Sequence, residues 1–280
     1  MKIKNENSFL ERYTIAIYFM ITFLITVILG AAYQFTNNAF ISPQYAPAMG
    51  LVLICIMSNN WSVWLQMNWK SVKTRENLLW MFISLFLPVA IILTSSLIMS
   101  SMGNQFVLWK DTASGYVITI IAAILGCIFE EIGWRGYLLP EFAKKHNMFY
   151  STIAVGLLWG AWHCKFAYGI LGFILFVMLI ICFSIFMVWV YMKTKGNMIC
   201  MILFHFGVNI GSVTLLQNRE GVLFYALAAI ICVLICIPIV LKNKNEFFSE
   251  LAYEKLSIGS SDVESTQPEA ELQDHRITNL

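Results

Sequence analysis

The sequence predicts an all-α fold: a polytopic transmembrane helical bundle of about eight spans, with both termini on the cytoplasmic side. Three observations carry this expectation. Apolar residues make up 59% of the 280 positions and charged residues only 12%, against about 45–50% and about 25% in soluble globular chains, so the excess apolar surface needs lipid as its solvent. No Asp, Glu, Lys or Arg occurs between Arg12 and Lys70, between Glu76 and Lys110, or between Lys165 and Lys193. Each gap exceeds the roughly 20 apolar residues that cross a bilayer. Finally, Lys and Arg concentrate in alternate loops, as the cytoplasmic loops of membrane proteins do.

Taken in order, the expected spans are Tyr13–Tyr33, Phe40–Met57, Leu78–Met102, Tyr116–Leu139, Phe149–Lys165, Phe166–Met192, Gly196–Gln217 and Val222–Leu241. The first is longer than a signal-peptide core and is followed by further spans, so it reads as a retained helix. The second is the weakest, interrupted by Pro47 and Gly50. The stretch Trp61–Trp69 suits the membrane interface, where Trp is favoured. With the N-terminus inside, the cytoplasmic segments carry Lys2, Lys4 and Arg12, then Lys70, Lys73 and Arg75, then Lys144 and Lys145, then Lys193 and Lys195, then Lys242 and Lys244; the outer ones hold only Lys110, Lys165 and Arg219. The expected organisation is one membrane domain over residues 1–241 and a polar, mostly disordered cytoplasmic tail over 242–280, helical at first. The seven cysteines form no CxxC pair and read as small buried apolar side chains rather than disulfide partners or zinc ligands.

Of sixteen acidic residues, only Glu130 and Glu131 fall inside an apolar span, and Arg135 follows four residues after Glu131. Charges within the bilayer cost several kcal/mol unless they face protein or water and satisfy one another. Glu131 and Arg135 share a helix face and can pair. Glu130 is rotated by about 100° from Glu131, so one carboxylate is neutralised and the other is left for chemistry. Two other spans add His163, and His205 with Asn209 one turn apart. Counted from the expected span ends at about 1.5 Å per residue, Glu130 and His205 sit at similar depth, whereas His163 falls nearer the outer face.

These groups suit hydrolysis. A carboxylate beside a histidine can take a proton from water, and His and Asn side chains can donate to the resulting oxyanion. Alternatively, Glu130, His163 and His205 can hold a zinc ion that activates water. Other membrane-protease chemistries lack their residues: there is no HExxH, no Gly-x-Ser in a span and no intramembrane Asp.

Glu130-Glu131-Ile132-Gly133-Trp134-Arg135-Gly136 resembles the EExxxR motif of the CAAX protease and bacteriocin-processing (Abi) family. Trp159 to His163 resembles its second motif, an aromatic residue four before His, with Trp159 where Phe is common. His205 to Asn209 resembles its third, HxxxN. The matching region runs from about residue 116 to 217. The resemblance implies an intramembrane endopeptidase in which Glu130 activates water and His163, His205 and Asn209 complete the catalytic set, with Glu131, Arg135 and Trp159 in support. No metal is favoured, zinc being the alternative. Expected partners are membrane lipid, a membrane-associated protein or peptide substrate and a membrane signalling partner; nucleic acid is not expected. The expected location is the bacterial plasma membrane, as a multi-pass protein. The competing readings are a catalytically idle binding protein for bacteriocin self-immunity or sensor scaffolding and, behind it, an ion-coupled transporter, which usually shows the internal repeats absent here.

Overall fold

A computed structural model describes residues 8–38, 40–69, 75–104, 111–215 and 221–249. It is helical throughout, with no strand among the described residues beyond an isolated bridge between Asn68 and Asn197. The helices are α1 (Ser8–Thr36), α2 (Ala46–Ser58), α3 (Ser62–Gln66), α4 (Arg75–Ser101), α5 (Ala113–Gly133), α6 (Leu139–Ala143), α7 (Met148–Trp162), α8 (Gly169–Lys193), α9 (Met198–Leu215), α10 (Val222–Lys242) and α11 (Lys244–Phe247). A 3-10 turn over Pro43–Tyr45 leads into α2, and a π turn over Trp134–Leu138 joins α5 to α6 as one continuous rod.

Among the described residues six apolar helices are long enough to cross a membrane, the α5–α6 rod being one of them; two more, Pro43–Ser58 and Met148–Trp162, are shorter. The eight expected spans therefore correspond to six long helices and two short ones, and the chain is a multi-pass membrane protein. The weak second span has a local explanation. Pro47 lies in the first turn of α2, where a missing N–H costs nothing, so that helix begins only after the turn.

Polar caps set the helix starts. Thr112 Oγ1 accepts the Gly115 N–H at 3.1 Å to open α5, and Asn147 Oδ1 accepts the Tyr150 N–H at 3.0 Å to open α7. Asn197 Oδ1 accepts the N–H groups of Ile199 and Cys200, while the Met198 N–H bonds to the Asn68 carbonyl at 2.9 Å. Each satisfies backbone donors that a helix N-terminus leaves open.

Neighbouring helices pack in the sequence α1, α2, α5, α9, α4, α10, α8, α7. Between membrane helices such packing relies on close approach, since apolar burial offers little contrast with lipid. At Gly207 a Cβ would lie 2.4 Å from the Leu85 carbonyl oxygen, so α9 sits directly on α4. At Gly133 a Cβ would meet Pro47 and the Tyr18 hydroxyl at 2.4 Å, which seats α5 against α2. The chain after α10 folds back: Phe247 is buried and, with Phe248, packs on Phe149 of α7, while Lys193 pairs with Glu246. The expected tail from residue 250 onward lies outside the described residues.

Candidate active site

α5 delivers both carboxylates to the bundle interior, and Glu130, Glu131 and Arg135 are all fully buried. They occupy different surroundings. Glu131 faces inward: its Oε1 accepts from Arg135 Nη1 at 3.0 Å and from His205 Nδ1 at 2.8 Å. Arg135 also donates to Ser184 Oγ at 3.3 Å, and Ser184 in turn donates to the Thr152 carbonyl. The guanidinium lies 4.2 Å from the Trp159 ring centre, a cation–π contact.

Glu130 instead lines a cavity of about 770 Å³, together with His163, His205 and Asn209; Glu131 and Arg135 are not in its wall. Glu130 Oε2 accepts from Trp159 Nε1 at 2.8 Å, and Oε1 accepts from Gln44 Nε2 at 2.8 Å. His205 Nε2 stands 4.0 Å from Glu130 Oε1. The one-residue offset on a helix has thus sent one carboxylate to the ion pair and the other to the cavity.

The two histidines are oriented in the same way. His163 Nδ1 donates to the Trp159 carbonyl at 2.7 Å, and His205 Nδ1 to Glu131. In each ring Nε2 remains as the nitrogen available to the cavity. Trp159 joins them, with its ring centre 6.0 Å from that of His163 and 5.1 Å from that of His205. Asn209 Nδ2 donates to Cys127 Sγ at 3.4 Å, a contact that gives one cysteine a polar role its apolar setting did not suggest.

The structure thus brings together all seven residues singled out in the sequence, including His163, whose depth looked discordant. The expected span around Glu130 ended at Leu139, but the rod continues through the π turn to Ala143. Measured from the short turn that joins α6 to α7, Glu130 lies about 20 Å along its helix and His163 about 22 Å along the next, at 1.5 Å per residue. They are level.

Sequence reasoning missed Gln44, Ser184 and Thr152. Ser and Thr are common in membrane helices, and Gln44 lies outside every motif, so only the tertiary contacts mark them. For the alternative zinc set, no three His, Cys, Asp or Glu side chains among the described residues are grouped so as to hold a metal ion.

Residues 112–211 match the family described as type II CAAX prenyl endopeptidase Rce1-like. The chain is 26% identical over 274 residues to CAAX prenyl protease 2 of Methanococcus maripaludis, covering 86% of this chain and 98% of that one. It is 27% identical over 232 residues to lysostaphin resistance protein A of Staphylococcus haemolyticus, and 26% identical over 233 residues to that of Staphylococcus aureus (strain Newman). Those two alignments each cover 80% of this chain but only 63% and 55% of the relatives. The match falls on the helices that carry EExxxR, the aromatic–His pair and HxxxN, and supports an intramembrane protease. Over these helices the chain is similar to the type II CAAX prenyl endopeptidases, the family that its three motifs resemble.

Proposed function

We propose that the protein hydrolyses peptide bonds of membrane-associated proteins or peptides with a water activated by Glu130. The observation that carries this reading is the placement of the Glu130 carboxylate, with His163, His205 and Asn209, on the wall of one cavity inside an apolar bundle.

The chemistry follows from the contacts. Trp159 and Gln44 hold the carboxylate plane, each through one N–H. Glu130 Oε1 and His205 Nε2 are 4.0 Å apart, a separation at which one oxygen can sit about 2.8 Å from both. Glu130 takes a proton from a water at that position while the water oxygen attacks the carbonyl carbon. The C–N bond then breaks, and Glu130 returns the proton to the departing amine nitrogen. The oxyanion needs donors. Asn209 carries an amide NH₂ on the same wall. His205 has committed Nδ1–H to Glu131, so it offers Nε2–H only as an imidazolium. Two carboxylates against one guanidinium leave one negative charge, which that imidazolium balances. Glu131 and Arg135 therefore act through His205, fixing its ring and complementing its charge. No step uses a metal.

The alternation of Lys and Arg between loops supports an orientation with both termini inside, and the staphylococcal relatives suit a bacterial plasma membrane. The cavity walls also include apolar residues of α1 such as Phe23 and Val27, which suits a lipid-associated chain. One relative is named for prenylated CAAX substrates and others for lysostaphin resistance. The substrate favoured here is a membrane peptide or protein, with or without a prenyl group.

The test is proteomic comparison of cells carrying wild type and Glu130→Gln at matched membrane abundance. Uncleaved membrane polypeptides are expected to accumulate in the variant. If Glu130→Gln sustains the full cellular phenotype and nothing accumulates, the protein works by binding instead, as an immunity or scaffold protein.

A further inference from the structure

We infer that Gln44, on the turn between α1 and α2, is a positioning residue for Glu130, and that the glycine at position 126 exists to seat it. The inference rests on the reading of Glu130 as the base. Gln44 Nε2 donates to Glu130 Oε1 at 2.8 Å, and this is the oxygen that faces His205 Nε2 at 4.0 Å. The carboxamide is held the right way round. A carboxylate accepts only, so the nitrogen end must face Glu130. The other end accepts from Ser42 Oγ at 3.4 Å, while Ser42 Oγ accepts the Gln44 backbone N–H at 3.3 Å.

The turn that carries Gln44 is docked along one face of α5, on both sides of Glu130. The Gln44 carboxamide rests on Gly126, where a Cβ would lie 2.3 Å from Oε1 and 2.7 Å from Cδ. Next, the Tyr45 ring packs on Phe129 with centres 4.8 Å apart, and Pro47 fills the space over Gly133. Gln44 and Tyr45 of the turn and Pro47 at the start of α2 thus engage positions three and four apart on α5, the spacing that keeps them on one helix face. Glu130 lies between these anchor points. A Gln without motif, a Ser that orients it and a Gly that leaves room for it form one device. Its effect is to fix Oε1, and hence the place where water meets both Glu130 and His205.

Two readouts test this on the full-length protein in proteoliposomes. The first needs no substrate. The infrared carboxyl band of Glu130 is isolated as the difference between wild type and Glu130→Gln. Gln44→Ala is expected to shift that band, and Gly126→Ala to shift it likewise by displacing the carboxamide. A band that stays in place in Gln44→Ala overturns the inference, whatever the enzyme does. The second is cleavage of the polypeptides that accumulate in Glu130→Gln cells. Gln44→Ala should lower kcat about tenfold or more, the effect of losing one hydrogen bond to a charged group, with KM unchanged. Gly126→Ala should lower kcat to a similar extent alone but add nothing in the Gln44→Ala background, where no side chain is left to displace. Additive losses, or a change confined to KM, would overturn the inference while leaving the Glu130 chemistry intact. A failure of wild type to cleave would refute the protease reading alone, since the infrared band still decides Gln44.

Discussion

Replacing Arg135 by Met tests whether the ion pair behind the cavity is structural. Arg135 is fully buried, donates to Glu131 and Ser184, and stacks over Trp159. Met has a similar reach and adapts to the vacated space, so the main loss is the charge. Glu131 would keep only His205 on Oε1, and its Oε2 already has no hydrogen-bond partner among the described residues. Breaking one side of a buried ion pair costs about 3–5 kcal/mol, because the other charge stays behind. Removing both charges in Glu131→Gln/Arg135→Met should recover most of that cost, since no uncompensated ion remains. The measurement is equilibrium unfolding in mixed detergent–lipid micelles for wild type, both single variants and the double variant, treated as a cycle. A single Arg135→Met variant within about 1 kcal/mol of wild type would refute the reasoning, given the size expected for a buried pair. So would a double variant no more stable than Arg135→Met.

Two further outcomes follow from the contacts of Glu130. Trp159→Phe keeps an aromatic ring beside Arg135 and His205 but deletes the N–H that reaches Glu130 Oε2; kcat of the folded protein should fall by about tenfold to a hundredfold, the usual effect of one hydrogen bond to a charged group. Exhaustive chelation should leave cleavage by the purified protein at its starting rate, and a loss restored by added zinc would reinstate the metal alternative.

Much of the architecture was legible because lipid imposes simple demands. Charge-free runs had to become apolar helices, and the long helices begin and end within about five residues of the expected spans. The polar residues inside those runs had to meet, because each is expensive alone. What was not legible has specific causes. The π turn at Trp134–Leu138 leaves no periodicity signal, yet it lets the α5 rod continue to Ala143 and brings His163 level with Glu130. Trp159 matches a motif position by being aromatic, but its N–H donation to Glu130 depends on the approach of α7 to α5. Gln44 sits among residues typical of a turn, and only its contact with α5 separates it from its neighbours.

The division of labour between the two carboxylates needs no more than helix rotation. Consecutive residues on a helix differ by about 100°, so a Glu-Glu pair cannot aim both side chains at one cavity. With α8 and α9 on one side, Glu131 meets Arg135 and His205 and is locked; with the α1–α2 turn and α7 on the other, Glu130 meets Gln44 and Trp159 and borders the cavity. His205 is the hinge between them, bonded to one carboxylate through Nδ1 and facing the other through Nε2. That asymmetry explains why the pair is adjacent in sequence rather than one turn apart. At a spacing of three or four residues both carboxylates would share a face, compete for the same arginine and repel each other in a medium that screens neither. Adjacent, they put the ion-paired carboxylate and the one on the cavity wall on opposite sides of a single imidazole.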